Sequence, residues 1–457
     1  MLQALSLLLS SAWAFSREQF TVNGTAIPDV DFDVGPSFAG LLPVSQISGE
    51  SRQLFFWYFP SKENHALTIF LNGGPGCSSL EGVLQENGPI MYRKGMLKPE
   101  RNPNSWTQYT SMLYIEQPVG TGFSQGVANA DNEETLAAQF YGFLQQFRDV
   151  FPEVKPQPLF LTGESYAGKY IPYIGKKMLD DGNKVRLTGV MLIDPVLTSM
   201  TLQEEVPSAA FMQRNKAVLG LDDSTMREIQ QISDDCGYTF LIQSQLPGPT
   251  SIGSSDLTDQ RFNTTQACSG LWQRLVDECT RKNPNFDIYK VTDSSLPYDP
   301  MGFPASQEYL PPGGQLYFNR TDVQMAINAP PTSWTTCARS PVFPNGDTSP
   351  NVVKQVLPNL IEQIGRVIVV HGMLDLVLIE EGTRLALQSM TFNNARGFNQ
   401  GIMKPFSVEG KGQTGHYVQE RGLSYVQLKL AGHQVPEDDG SSGIKLLQVL
   451  LGEASLG

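Results

Sequence analysis

One serine in the chain stands where a nucleophile can be made. In Gly163-Glu164-Ser165-Tyr166-Ala167-Gly168 it follows an apolar run, Leu159-Phe160-Leu161-Thr162, and precedes a helical stretch. A sharp strand-to-helix turn at such a serine exposes its hydroxyl and tolerates only small residues two before and two after, here Gly163 and Ala167. The hydroxyl is a weak nucleophile until an imidazole takes its proton, and the imidazole needs a carboxylate to fix its tautomer. Of the four histidines, His433 follows the last strand-like run, in Ala431-Gly432-His433-Gln434-Val435-Pro436. Asp375 follows the run ending at Val370, so serine, acid and histidine come in the chain order that this kind of turn implies. Asp194, after an earlier strand, is the rival acid. His65, His371 and His416 read as structural or surface residues.

Acyl transfer to a serine also needs donors for the oxyanion that develops on the attacked carbonyl. The loop Leu71-Asn72-Gly73-Gly74-Pro75-Gly76-Cys77-Ser78-Ser79-Leu80 leaves a strand-like run with adjacent glycines, whose N–H groups can turn inward. Gly74 is the expected donor there, and Tyr166, directly after the nucleophile, supplies the second. The set calls for no cofactor. Four dispersed histidines without a His-Glu-x-x-His pattern, and five cysteines without a Cys-x-x-Cys pair, offer no zinc or redox centre.

These residues need rigid elements to hold them. Leu54 to Phe59, Leu67 to Leu71, Ser111 to Ile115, Leu159 to Thr162 and Gly189 to Ile193 read as buried strands. A helix from about Glu133 carries Phe140, Phe143, Leu144, Phe147 and Phe151 at helical spacing and stops at Pro152. Alternating strand and helix build a parallel, open α/β sheet. From about 200 to 352 the strand pattern fades, most of the cysteines gather, and residues 246–255 read as a loop, so this stretch is an inserted cap region. The pattern resumes with Arg366 to Val370, a helix through Glu380 to Leu387, Leu423 to Leu430 with alternating faces, and a last helix from Ile444 to Leu451. The expected organisation is a leader over 1–14, a first core part over 15–199, the insert over 200–352 and a second core part over 353–457.

At 457 residues, with 40% hydrophobic and 17% charged residues, the composition is that of a folded globular chain. The net charge of −13 argues against nucleic acid and anionic membrane as partners, since phosphates are bound through clustered Lys and Arg. An apolar run over residues 1–14 closing on Ala12-Trp13-Ala14 reads as a cleaved signal peptide. Sequons at Asn23, Asn263 and Asn319 fit a secretory route. Five cysteines cannot all pair, so one thiol stays free or bonds externally.

Four ordered motifs make the chain resemble the serine carboxypeptidases of the lysosomal, vacuolar and secreted kind, above all the fungal secreted ones. They are Leu71 to Ser79 as quoted, Glu116-Gln117-Pro118-Val119-Gly120-Thr121-Gly122-Phe123-Ser124, Gly163 to Gly168, and Gly432 to Pro436. The resemblance extends from Phe32 to the last helix. It implies an α/β-hydrolase core with a mixed, mostly parallel central sheet flanked by helices, plus the inserted cap. It implies Ser165, Asp375 and His433 as the triad, Gly74 and Tyr166 as the oxyanion hole, and a Cys77–Cys337 disulfide. It also implies that Asn72, Glu86 and Glu164 receive the free carboxylate of a peptide or protein substrate. Two acids facing a carboxylate repel it unless they stay protonated, so binding is expected to fail as pH rises.

The chain also departs from the pattern. Family members usually show Gly-Asp-x-Asp around the acid, against Gly372-Met373-Leu374-Asp375 here, and commonly a Met lining the leaving-residue pocket where Gln434 stands. Asp194-Pro195 replaces the usual turn after its strand. Cys236, Cys268 and Cys279 leave one pair and one odd thiol, which the sequence does not assign; Cys236 with Cys268 is the pairing taken as the expectation. The expected function is release of C-terminal amino acids at acidic pH through an acyl-enzyme, in the medium or in a vacuolar or other acidic secretory compartment. An acyltransferase or esterase, or a non-catalytic binding protein, is the alternative on the same scaffold. Oligomeric state stays open.

Overall fold

Five of the apolar runs carry side chains that no alternation can sort into an inner and an outer face, and strands of that kind must be covered on both sides. A computed structural model of the chain describes residues 15–61, 66–246, 265–294, 298–302, 314–399 and 403–457. The leader at 1–14, the sequon residue Asn263, His65 and most of the loop at 246–255 lie outside the described residues.

The strands of the main sheet, in chain order, are β1 (Thr21–Val22), β2 (Ser37–Pro43), β3 (Gln53–Phe59), β4 (Leu67–Leu71), β5 (Ser111–Glu116), β6 (Leu159–Glu164), β7 (Leu187–Ile193), β8 (Val367–Gly372), β9 (Lys404–Val408), β10 (Gly412–Glu420) and β11 (Leu423–Leu428). They form one 11-stranded sheet in the order β1-β2-β3-β5-β4-β6-β7-β8-β11-β10-β9. The six central strands, from β5 to β11, run parallel, and antiparallel strands extend both edges. The fold is thus a mixed, mostly parallel α/β-hydrolase sheet. Strands β1, β2, β9 and β10 are absent from the sequence reading. Gly412 and Gly415 dilute the pattern of β10, and Pro405 that of β9, the strand at the edge, where proline is tolerated. One expectation is corrected, because β11 is buried at every position rather than on alternate ones. Both its faces are covered, and its Gln427 reaches the carboxylate of Glu380.

Helices α1 (Glu133–Val150), α2 (Ala167–Asp180) and α3 (Val356–Ile364) cover one face. Asn132 starts α1 by accepting the Thr135 N–H at 2.8 Å. The aromatic stripe of α1 then meets the sheet, with Phe147 at 5.4 Å from Phe56 and 5.1 Å from Tyr58, edge to face. The opposite face, reached by Phe55 and Trp57 of the same strand, packs on Trp106, Trp334 and the helix that ends the chain, which is α5 (Gly440–Leu451) once α4 (Glu380–Ser389) is counted.

Residues 200–352 add no strand to the sheet among the described residues. Their helices enclose a third cluster, in which Leu202, Phe211, Ile229 and Leu275 pack with Leu374, Leu376 and Ile379 from the segment after β8. That cluster is therefore continuous with the loop that carries Asp375. Cys77–Cys337 ties the glycine loop to the 200–352 stretch, and Cys236–Cys268 lies within that stretch. Cys279 is a buried free thiol, pushed up to about 12 by desolvation.

Candidate active site

Ser165 occupies the turn between β6 and α2 with φ +59°, a left-handed conformation that a non-glycine residue adopts at a cost and only where its surroundings hold it. Here the holding groups are backbone: Ser165 N–H donates to Ile193 O at 3.0 Å, and Ser165 O accepts from Val196 N at 2.9 Å and Gly168 N at 2.9 Å. Packing explains the residue types around it. A Cβ on Gly163 would stand 2.4 Å from Leu71 O and 2.9 Å from the Cβ of Ala167. Only one of the two flanking positions can carry a methyl group, so Ala167 is accommodated because Gly163 is not alanine.

The glycine loop lies directly on this turn. A Cβ at Gly73 would come within 2.4 Å of Tyr166 N and 2.8 Å of Ser165 Cβ, so the loop reaches the elbow only as glycine. Gly74 follows at φ +110°. Tyr166 is held in turn from the insert, because its hydroxyl donates to Asp347 Oδ2 at 2.8 Å while Lys169 Nζ reaches the same oxygen at 3.1 Å.

His433 Nδ1 lies 2.7 Å from Asp375 Oδ2. A carboxylate accepts, so Nδ1 carries the proton and Nε2 keeps the lone pair that can take one from a serine. Asp375 is fixed by two further donors on Oδ1, Val377 N at 2.7 Å and Leu378 N at 3.1 Å, and it is fully buried. Tyr289, from the insert, meets the imidazole edge to face at 5.4 Å and accepts the His433 N–H on its backbone oxygen at 2.7 Å. Nothing in the local sequence around Tyr289 signals that role.

Asp194, the rival acid, sits behind this pair rather than in it. Its Oδ1 accepts Gly372 N at 2.8 Å and lies 3.3 Å from His371 Nε2, which is 3.6 Å from Asp375 Oδ2. His371 Nε2 also meets the Leu378 carbonyl at 2.8 Å, which only accepts, so the ring proton is on Nε2. Burial holds His371 below the usual range, and burial, then the charge of Asp375, pushes Asp194 well above it. Asp194, His371 and Asp375 bring ligand atoms within 4.8 Å of one another. Asp194 Oδ1, His371 Nε2 and Asp375 Oδ2 are engaged by Gly372, Leu378 and His433, so the cluster is a hydrogen-bonded surround for the acid. His371 is structural, as the sequence suggests, and His416 is half-buried on β10.

Asn72 joins the two acids that the resemblance sets beside it. Its Nδ2 donates to Glu86 Oε1 and to Glu164 Oε1, each at 2.9 Å, with all three side chains buried. The Oε2 atoms of both acids receive no N–H or hydroxyl donor from the described residues, and the two carboxyls hydrogen-bond to each other. Burial pushes Glu86 up to about 7, while burial and the neighbouring charge of Glu86 push Glu164 well above its ordinary range. A carboxyl that holds its proton can donate from such an oxygen to an incoming anion. His433 is close enough to Glu86 for its charge to pull that value down. The sequence reading misses a further acid, Glu81, which is buried beside Glu86 and accepts Gln434 Nε2. The departure at Gln434 is the signal that points there.

The sequon residues differ in availability. Asn23 is exposed, whereas Asn319 is half-buried and spends its Nδ2, the atom that would carry a glycan, on Trp334 O at 2.7 Å.

The family model described as serine carboxypeptidase matches residues 28–453. A probable serine carboxypeptidase of Arthroderma benhamiae is 41% identical over 95% of this chain and 86% of its own length. Serine-type carboxypeptidase F of Aspergillus niger is 34% identical over 93% of this chain and 86% of its own. Among solved structures, Kex1(delta)p, a prohormone-processing carboxypeptidase from Saccharomyces cerevisiae, superposes with a TM-score of 0.77 over 97% of each chain at 22% identity, a likeness of fold.

Proposed function

The chain belongs to the serine carboxypeptidase family, and on that premise we propose that Ser165, His433 and Asp375 release C-terminal amino acids from peptides by acyl transfer. His433 Nε2 takes the hydroxyl proton as Ser165 Oγ attacks the last peptide carbonyl, and the oxyanion lies against the N–H groups of Gly74 and Tyr166. Collapse of the tetrahedral adduct breaks the C–N bond, and His433 returns the proton to the departing amine. Water, deprotonated by the same imidazole, then releases the shortened peptide from Ser165.

The observation that carries the restriction to chain ends is the buried set of Asn72, Glu86 and Glu164, with two carboxyl oxygens that have no N–H or hydroxyl donor and elevated pKa values. An amide nitrogen and two protonated acids are what a desolvated carboxylate needs. As pH rises through about 7, Glu86 ionises and repels it. Two disulfides fit an oxidising secretory compartment, and the acids fit an acidic one, so the medium or a vacuole is the proposed site of action, with Asn23 glycosylated. No described helix is long and apolar enough to cross a membrane.

The test is digestion of an N-blocked peptide with a free or an amidated C-terminus. Stepwise release from the free acid is expected, with KM climbing above about pH 7, and Ser165→Ala should lower kcat roughly a millionfold. Equal cleavage of the amidated peptide, or a flat KM, would sink the role of the acid pair.

A further inference from the structure

Asp194 stands in the turn after β7, where this chain departs from the family pattern, and the mechanism above gives it no part. It takes a left-handed backbone, φ +41°, that a non-glycine residue keeps only where its surroundings hold it. Its own N–H donates to Val370 O at 2.9 Å. Its neighbours hold the nucleophile, since Ile193 O accepts Ser165 N–H at 3.0 Å and Val196 N–H donates to Ser165 O at 2.9 Å. The segment that fixes the backbone of Ser165 therefore also carries a carboxyl behind Asp375.

That carboxyl is fully buried and short of donors. Oδ1 accepts Gly372 N–H at 2.8 Å, and Oδ2 has no N–H or hydroxyl donor among the described residues. His371 Nε2 lies 3.3 Å from Oδ1, but its proton goes to Leu378 O at 2.8 Å. Asp375, by contrast, accepts three N–H groups, from Val377, Leu378 and His433. Carboxyl oxygens of the two aspartates lie within 4.8 Å, and the two groups hydrogen-bond to each other, which requires a proton on one of them. It belongs on Asp194, the acid with fewer donors. We propose that Asp194 keeps its proton and donates it to the Asp375 carboxylate, a positioning residue that moderates the charge facing His433. The effect on catalysis rests on the carboxypeptidase reading above.

The charged surroundings agree. Burial first, and then the charge of Asp375, hold Asp194 well above the ordinary range, and Asp438 adds to this although Lys290 Nζ stands 3.0 Å from it. Burial keeps His371 below its usual range, so its ring offers Asp194 little positive charge. On the other elements packed here, Tyr425 of β11 faces Asp194, and Glu204 faces Asp375. Glu380 of α4 bears on His371 and is answered by Arg384 and Arg214. A neutral acid against Asp375 extends catalysis to lower pH. An unopposed carboxylate holds the imidazolium, which cannot take the proton of Ser165, whereas a carboxylate that receives a fourth hydrogen bond holds it less. His433 then acts as a base under the acidic conditions in which Glu86 and Glu164 keep their protons.

The test has two readouts. The infrared difference spectrum of wild type minus Asp194→Asn, taken at about pH 6 and so above the ordinary aspartate range, should show one protonated-carboxyl stretch that the variant lacks. Carboxylate stretches in its place overturn the proposal whatever the activity. The second readout is the acidic limb of the kcat profile on one N-blocked peptide, since Glu86 and Glu164 act on KM. Asp194→Ala should move that limb up by about one pH unit. Asp194→Asn, whose Nδ2 can donate where the carboxyl did, should bring it back to the wild-type position. A limb unmoved by Asp194→Ala, or moved down by Asp194→Asn as loss of a negative charge would do, overturns the proposal alone. Should Asp194→Ala fail to fold, Asp194→Asn carries the test by both readouts. Wild type that is labelled at Ser165 by an organophosphorus inhibitor but releases no C-terminal residue overturns the carboxypeptidase reading, and the infrared result then judges the shared proton by itself.

Discussion

At the scale of single residues, the decisive arrangement is an acid whose two oxygens do different work. Glu164 Oε1 accepts Asn72 Nδ2 at 2.9 Å, and Oε2 is left without an N–H or hydroxyl donor. Glu164→Gln keeps the first contact and replaces the second oxygen by an N–H donor that does not titrate. Its KM should therefore rise less steeply between about pH 5 and about pH 7.5 than that of the wild type, the remaining slope coming from Glu86 with its value of about 7. Steady-state kinetics on one peptide over that range checks this, and an equally steep rise would contradict it. The same scale explains the choice between two aspartates. Asp375 meets His433 at 2.7 Å, whereas Asp194 meets His371 and the Gly372 amide.

At the scale of elements, the glycine loop after β4 and the turn after β6 approach until no side chain fits between them. Parallel pairing of β4 with β6 brings Leu71 opposite Gly163, so both loops leave the same end of the sheet. Gly73→Ala would set a methyl group 2.4 Å from Tyr166 N. Relief requires the loop to move off the turn, taking Gly74 with it. The expected result is a fall in kcat of about a hundred- to a thousandfold, the worth of an oxyanion donor, with a smaller change in KM and unchanged far-UV circular dichroism. A variant with wild-type kcat would remove Gly74 from the oxyanion hole.

At the scale of the molecule, buried carboxyls set the pH range of stability. Glu86 and Glu116 are raised to about 7 and Glu437 to about 8, in each case by burial first. A group whose folded pKa exceeds its unfolded one favours the fold while protonated in both states, and that contribution is lost as pH climbs through the folded value. In the other direction, Glu50 is lowered to about 2 by its hydrogen bonds to Arg52, and Asp439 is lowered by its bonds to Ser442 and Lys411, against the opposing effect of burial. Their contribution is present above the unfolded carboxyl range and fades as pH falls through theirs. The thermal midpoint should therefore peak between about pH 4.5 and about pH 6 and decline towards pH 8. Calorimetry checks it, and a midpoint at pH 7.5 equal to or above that at pH 5 would contradict the burial of these acids.

The sequence by itself pointed to Ser165, proposed here as the nucleophile, and to the central strands, because turn chemistry and hydrophobic period are set within a few residues. The glycines of the loop were legible for the same reason, since only glycine allows such close approach. Tertiary structure alone decided which aspartate meets His433, that Tyr289 of the insert packs on it, and that Glu81 pairs with Gln434. It also decided that Asn319 is engaged while Asn23 is open. Each of these depends on burial and hydrogen bonding between residues remote in the chain. So do the elevated carboxyl pKa values, since an acid is desolvated by the fold around it and not by its neighbours in sequence.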